Sequence, residues 1–157
     1  MNRDPTLCRT FVTLAQASLA TNPEVKHTWS IDADEDHCIL DIPPYSDTGF
    51  SITIEVFPEE ITVSMGGPHE HFRREGMSPE ELVGSVLGLT RDLLSPAMRL
   101  REQRAGGSAF QWHVEALQAD GTWLAEATTG LLFWNYFGKR SERIYQNDVL
   151  PSRAKAS

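Results

Sequence analysis

Residues 50–65 alternate apolar and polar side chains on both sides of a short turn: Phe-Ser-Ile-Thr-Ile-Glu-Val-Phe-Pro-Glu-Glu-Ile-Thr-Val-Ser-Met. Because successive side chains of a strand point to opposite faces, this alternation predicts two strands, each with one apolar and one polar face. Pro58-Glu59-Glu60 predicts the turn between them. Such strands are typical of an antiparallel sheet that is covered on one side only.

The same alternation continues outward from this stretch in both directions. Further strands are predicted at 28–31, 37–42, 98–101, 110–116 and 123–127, and residues 131–134 and 144–145 supply one or two closing strands. Asp120-Gly121 is typical of a two-residue hairpin turn, which favours antiparallel pairing. Residues 66–78 have no clear period and are predicted to form a loop.

Two amphipathic helices are predicted, each with recognisable start and stop signals. Asp4-Pro5 predicts the cap and first turn of the first helix, which should end near Ala20 because Asn22-Pro23 blocks it. The second helix begins at the capping box of residues 78–81, Ser-Pro-Glu-Glu, and is stopped by Pro96.

The order of these elements predicts an α+β domain with one mostly antiparallel sheet of about seven to nine strands. The expected order is one helix, four strands, a second helix and three to five strands, with both helices on one face. An alternative is a strongly curved half-barrel wrapped around the second helix. Residues 1–150 are expected to form this single domain, and residues 151–157 a flexible C-terminal tail. The aromatic residues between 110 and 137 predict the thickest core in the last third.

The charge of the chain is unevenly distributed. The formal net charge is −8, and residues 1–66 hold 11 acidic against 3 basic residues, whereas residues 67–157 hold 11 of each. A negative field of this kind disfavours nucleic acid and anionic membrane surfaces as partners. It favours docking to a basic surface.

The leading functional hypothesis is a non-enzymatic cytosolic interaction protein that binds a basic partner surface through its acidic N-terminal half, as immunity or inhibitor proteins bind basic toxins. The chain contains no Walker, GxGxxG, CxxC, HExxH or GxSxG pattern, so no catalytic residue is assigned. The predicted partner-binding residues lie in one turn, with three further candidate neighbours: Asp32, Asp34, Glu35 and Asp36, then Asp47, Glu59 and Glu60.

An alternative hypothesis is a small metal-binding protein or metal-dependent enzyme. In an extended segment His69 and His71 point the same way, and two imidazoles can hold a divalent ion if a third ligand is supplied. His113 is the predicted third ligand. Apart from such a metal, no cofactor is expected.

A polar face is predicted on the sheet of the last third. With Asp120-Gly121 as a two-residue turn, Glu115 lies opposite Glu126 and His113 opposite Thr128. Alternation then gathers five residues on this face: Arg99, Arg101, His113, Glu115 and Glu126. Such a face could perform acid–base chemistry or bind a cation, or it could be a solvated face in which the arginines neutralise the glutamates.

A further alternative is a small-ligand binder that uses a concave, aromatic-lined sheet, with Trp112, Trp123 or Trp134 in its pocket. Cys8 and Cys38 lie in core-facing segments of a chain without a predicted export signal. Free buried thiols favour the cytoplasm, although one buried disulfide between them is an open alternative. The longest apolar run, 131–134, is too short to span a membrane.

Overall fold

The computed structural model describes residues 6–130 and 138–153 of the chain. They form two helices and nine strands, in the order α1 (Leu7–Ala20), β1 (Thr28–Ile31), β2 (Cys38–Ile42), β3 (Ile52–Val56), β4 (Glu60–Met65), β5 (His69–Arg73), α2 (Pro79–Leu93), β6 (Met98–Ala105), β7 (Ser108–Leu117), β8 (Trp123–Gly130) and β9 (Arg140–Tyr145). The predicted α+β class with mostly antiparallel strands is confirmed. The strands divide, however, into two antiparallel sheets of orders β1-β2-β3-β4-β5 and β8-β7-β6-β9.

The five-stranded sheet turns its apolar face toward both helices. Ile52, Ile54 and Val56 of β3 are fully buried, whereas Thr53 and Glu55 between them are half-buried. The two helices pack against each other and join these strands in one hydrophobic core. The alternation of residues 50–65 therefore predicts the buried face correctly.

Strand β5 lies where the sequence predicts a loop. It pairs with β4 from Glu60–Arg73 to Ser64–His69, so five strands and not four precede α2. Phe72 is the only large apolar residue of β5. Without an apolar period, what makes this segment a strand is its hydrogen-bonded ladder to β4, which has no signature in the sequence.

Both helices begin at capped N-termini. Thr6 caps α1 by accepting a hydrogen bond from the Arg9 backbone N–H at 3.1 Å, so the helix starts later than predicted; Asp4 and Pro5 lie outside the described residues. α2 has the predicted capping box between Ser78 and Glu81. No helix in the described part of the chain is long and apolar enough to cross a membrane.

The thickest part of the core lies beneath the five-stranded sheet. The largest fully buried side chains of the described residues come from α1, α2 and strands β2–β4: Phe11, Leu40, Ile52, Ile54, Val56, Ile61, Val63, Met65, Leu82, Val83, Val86 and Leu93. The expectation that the last third holds the thickest core is therefore wrong for the part of the chain that the structure describes. Trp112 and Trp123 are only half-buried, and residues 131–137, including a predicted strand, lie outside the described part.

Two glycines allow the sheets to meet. Gly66 adopts a φ of +74°, and a Cβ at this position would lie 2.5 Å from Cδ2 of Leu100. A Cβ on Gly67 would lie 3.1 Å from the Trp112 ring. The β4–β5 turn therefore packs directly on β6 and β7, and a side chain at either glycine would require Leu100 or Trp112 to shift.

The segment after β9 forms hydrogen bonds with Phe50, just before β3, and with Leu94, at the end of α2. Asn147 is buried, and its side chain accepts a hydrogen bond from the Phe50 N–H at 3.0 Å and donates one to the Phe50 carbonyl at 2.8 Å. The backbone N–H groups of Val149 and Leu150 both donate to the Leu94 carbonyl at the end of α2.

Candidate functional site

Antiparallel pairing brings the β1–β2 and β3–β4 turns to the same end of the five-stranded sheet. The first turn carries Asp32, Asp34, Glu35 and Asp36, all exposed, and the second carries the exposed Glu59. We call the part of the molecule formed by these five residues the acidic end. The predicted partner-binding residues therefore lie together in the fold, with one of their predicted neighbours.

Part of this negative charge is neutralised within the chain. Glu35 accepts hydrogen bonds from Nε and Nη2 of Arg9 at 2.9 and 2.7 Å, and its carbonyl accepts one from the Thr6 hydroxyl at 3.0 Å. These contacts fasten the β1–β2 turn to the start of α1. The carboxylate of Glu35 is therefore exposed to solvent but already paired with Arg9.

His37 lies beside the same turn, between two carboxylates. Its Nε2 lies 2.9 Å from Oε1 of Glu55, and its Nδ1 lies 3.3 Å from Oδ2 of Asp32. The hydrogen bond to Glu55, followed by the charge of Asp32, raises the pKa of His37 despite partial desolvation. When protonated, His37 therefore offsets some of the charge of the turn.

A groove of about 430 Å³ opens between the two turns and the first turns of α1 and α2. We call it the acidic groove; it is lined by Thr6, Leu7, Asp36, Pro58, Glu59, Arg74, Pro79 and Glu80. Three separate elements each contribute a carboxylate to it. Arg74 lies 4.0 Å from Glu59, whereas neither Asp36 nor Glu80 forms an ion pair with another described residue.

The two remaining predicted neighbours do not line this groove. Asp47 is in the β2–β3 connection, at the opposite end of the sheet, so its grouping with the acidic turn is wrong. Glu60 follows Glu59 at the same end of the sheet, but its carboxylate binds His71 and Arg73 of β5. Sequence reasoning missed Arg74 and Glu80 as groove residues. The capping box at 78–81 could have indicated Glu80, because it marks the start of α2. A helix that packs along this sheet must begin near one end of the sheet.

His69 and His71 point to the same face of β5, as predicted. Their ring centroids lie 5.1 Å apart with an interplanar angle of 81°. Nδ1 of His71 lies 2.8 Å from Oε1 of Glu60 and 3.0 Å from the Thr62 hydroxyl. Sequence reasoning missed Glu60 as the partner of His71, because it requires the β4–β5 ladder.

His113 does not join this pair. It lies in β7, where its Nδ1 is 2.9 Å from the Thr128 hydroxyl and its Nε2 is 3.4 Å from Oε1 of Gln103. Burial, and then the charge of Arg101, lowers the pKa of His113. Within residues 6–130 and 138–153, no group of three or more His, Cys, Asp or Glu side chains is arranged to hold a metal ion. The predicted three-histidine ligand set is therefore not assembled.

Glu115 is the centre of the predicted polar face. It is almost fully buried and accepts hydrogen bonds from Nε of Arg99 at 2.9 Å and Nε of Arg101 at 3.1 Å. Arg101 also donates to Glu142 of β9 at 3.1 Å, and the Arg99 guanidinium lies 4.1 Å from the centre of the Trp123 ring. These contacts support the charge-balanced alternative, in which the arginines neutralise a glutamate.

The turn between β7 and β8 has one residue more than predicted. Gln118 closes the loop by donating to the Thr122 carbonyl at 2.7 Å and accepting from the Gly121 N–H at 3.0 Å. Gly121 has a φ of +85°. The loop is therefore the three-residue type, with a left-handed glycine at its last position, and it shifts the register by one residue.

A β-bulge then restores the register. Glu115 pairs with Ala125 and Val114 with Ala127, so Glu126 is left without a residue across the ladder. The predicted opposition of Glu115 and Glu126 is wrong, whereas the predicted pairing of His113 with Thr128 is right.

Glu126 instead lies in a second groove at the junction of the two sheets, of about 270 Å³. Burial, and then the charge of Glu126, raises the pKa of Glu70 in the same groove. Arg153 also lines this groove, within the segment predicted as a tail, and donates two hydrogen bonds to Asp92 of α2 at 2.9 and 2.5 Å.

A cavity of about 290 Å³ at the sheet junction is lined by Gly49, Phe50, Ser51, Gly66, Gly67, Leu100, Glu102, Trp112 and Tyr145. Its carboxylate is already engaged, because Glu102 accepts hydrogen bonds from Nε1 of Trp112 at 3.0 Å and from Arg104 at 2.5 Å. Trp134 lies outside the described residues. Binding of a small ligand at this aromatic cavity stays a prediction.

Cys8 and Cys38 are both buried and both free, so the structure contains no disulfide between them. Burial raises the pKa of both thiols, most strongly that of Cys38. Both thiols therefore lie in the core, where burial disfavours the thiolate form. The cytoplasmic location that they favour stays a prediction.

Comparison of the chain with protein-family models, with curated proteins and with solved structures found no match.

Proposed function

We propose that the protein is a non-enzymatic interaction protein that binds a basic partner surface at the acidic groove. The observation that supports this most is the convergence of Asp36, Glu59 and Glu80, which come from two hairpin turns and a helix start. A guanidinium or ammonium group that enters a concave site can contact carboxylates on several sides. A single exposed turn offers no such enclosure.

The charge that remains after internal pairing also supports docking. Glu35 is paired with Arg9, whereas Asp34, Asp36 and Glu80 form no ion pair within the described residues. Unpaired carboxylates on one end of a molecule attract a basic partner and speed its association at low salt. The same field repels the phosphate backbone of nucleic acids.

A labelled hexa-arginine peptide provides a probe for the groove. Binding is measured by fluorescence anisotropy at low and at physiological salt for the wild type and for the triple variant Asp36→Asn, Glu59→Gln, Glu80→Gln. A matched control neutralises three exposed acids far from the groove: Glu24→Gln, Asp47→Asn and Asp148→Asn. Both variants lose the same net charge.

We expect the groove variant to weaken binding at least about tenfold at low salt and the control to change it less than about twofold. Equal losses in the two variants would show that only net charge matters and would overturn the groove as the site. An affinity that does not depend on salt in the wild type would contradict an electrostatic docking surface altogether.

A further inference from the structure

We propose that His69 and His71 form a two-histidine site for a divalent transition-metal ion, with Glu60 as the carboxylate that orients His71. The site lies on the outer face of the edge strand β5 and is separate from the acidic groove. It would take an ion that prefers imidazole nitrogen, for which Cu²⁺ has the highest affinity among the first-row divalent metals.

The spacing of the two rings fits bidentate coordination. Metal–nitrogen bonds of about 2.0–2.1 Å place each ring centre about 3.2 Å from the ion. Angles of about 90–109° at the metal then separate the ring centres by about 4.5–5.2 Å. The observed separation of 5.1 Å lies in this interval, so the two rings are already spaced for binding one ion.

Glu60 fixes the chemical form of His71 that a metal requires. Its Oε1 lies 2.8 Å from Nδ1 of His71, and its other oxygen accepts a hydrogen bond from Nε of Arg73 at 3.2 Å. A carboxylate at this position holds the proton on Nδ1 and leaves the Nε2 lone pair free for a metal. Carboxylate–histidine–metal triads use the same arrangement to orient the ring and raise its basicity.

The position in the sheet leaves the rest of the coordination sphere open. β5 ends the five-stranded sheet, and the side chain of His71 is about half exposed at 50%. Because the described residues supply no third ligand of the His, Cys, Asp or Glu type, water completes the coordination. The site is therefore a two-ligand surface site and not the closed centre of a structural metal.

Titration with Cu²⁺, followed by calorimetry and by electron paramagnetic resonance, tests the site. The variants are His69→Asn, His71→Asn and Glu60→Gln, with His27→Asn as the control, since His27 is exposed in the loop before β1 and has no neighbouring imidazole. Thermal unfolding of each variant without metal verifies that the fold is retained.

We expect one ion per chain with hyperfine coupling to two imidazole nitrogens. Either histidine variant should lose at least about tenfold in affinity and one nitrogen coupling, whereas Glu60→Gln should weaken binding about 10–100-fold and keep both couplings. His27→Asn should change nothing. Unchanged binding in His69→Asn or His71→Asn, or an equal loss in His27→Asn, would overturn the proposal.

Discussion

Neutralising Glu115 should cost far more stability than neutralising Glu126, although both residues belong to the same hairpin. Glu115 is 6% exposed and accepts a hydrogen bond from each of Arg99 and Arg101. Hydrogen bonds to charged groups contribute about 1.5–3 kcal/mol each. In Glu115→Gln one acceptor oxygen remains and both arginines keep some exposure, so we expect a loss of about 2 kcal/mol in the free energy of unfolding.

Glu126 provides the matched control. It is the exposed extra residue of the β8 bulge, and its charge adds to burial in raising the pKa of Glu70. Glu126→Gln should therefore change the free energy of unfolding by less than about 0.5 kcal/mol. We expect a slight increase in stability, because the substitution removes the repulsion of Glu70. Urea unfolding of both variants at neutral pH measures the difference, provided that the m-value stays constant.

The Glu126 variant distinguishes two registers of the hairpin. If the turn had two residues, Glu115 and Glu126 would face each other, and Glu126→Gln would relieve this repulsion and raise the free energy of unfolding by more than about 0.5 kcal/mol. Glu115→Gln would lose its hydrogen bonds to Arg99 and Arg101 in either register, because β6 pairs with β7 independently of β8. A gain above about 0.5 kcal/mol for Glu126→Gln would thus refute the bulged register, and a cost below about 0.5 kcal/mol for Glu115→Gln would refute the buried ion pairs.

The remaining predictions concern the buried side chain of Asn147 and the histidines His37 and His113. Asn147→Ala should lower the free energy of unfolding by about 2–4 kcal/mol in urea denaturation, because it leaves the buried N–H and carbonyl of Phe50 without partners. The pKa of His37 is raised by its hydrogen bond to Glu55, so its stabilising contribution is complete below the unfolded pKa and is lost as the pH rises through the folded one. His37→Asn should therefore cost more stability at about pH 5.5 than at about pH 8.5. The pKa of His113 is lowered, mainly by burial, so its contribution is lost as the pH falls, and His113→Asn should show the opposite pH dependence. Titration of both rings by NMR checks the two directions; equal dependence in the two variants would contradict them.

Local patterns predict the strands and helices well, since burial and capping leave direct signatures in the sequence. The alternation of residues 50–65 and the capping box of α2 are both found in the structure. Strand β5 was missed because an edge strand with one large apolar residue needs no period. Its recognition depends on the β4 ladder, which is a tertiary contact.

The site residues were predictable only where the order of the strands along the chain fixes their position in the sheet. Two hairpin turns of an antiparallel sheet that are separated by two strands must lie at the same end, which brings Glu59 to Asp36 and excludes Asp47. The pairing within the β7–β8 hairpin was not predictable, because Asp-Gly suits both a two-residue turn and a three-residue turn with a left-handed glycine. The bulge at Glu126 then moves one carboxylate away from the other, which removes a repulsion that the shorter turn would create.

The acidic end also meets the starts of both helices, so part of its charge could serve to offset their dipoles. Glu80 and Glu81 separate this structural role from docking, because both lie in the first turn of α2 but only Glu80 lines the acidic groove. Glu81 accepts a hydrogen bond from the Ser78 N–H, which Glu81→Gln can retain. If the charge serves the helix alone, each substitution to Gln should cost about 0.3–1 kcal/mol in thermal unfolding and neither should alter peptide binding. Docking at the groove requires that Glu80→Gln weakens binding of the hexa-arginine peptide while Glu81→Gln, with the same loss of charge one residue away, does not.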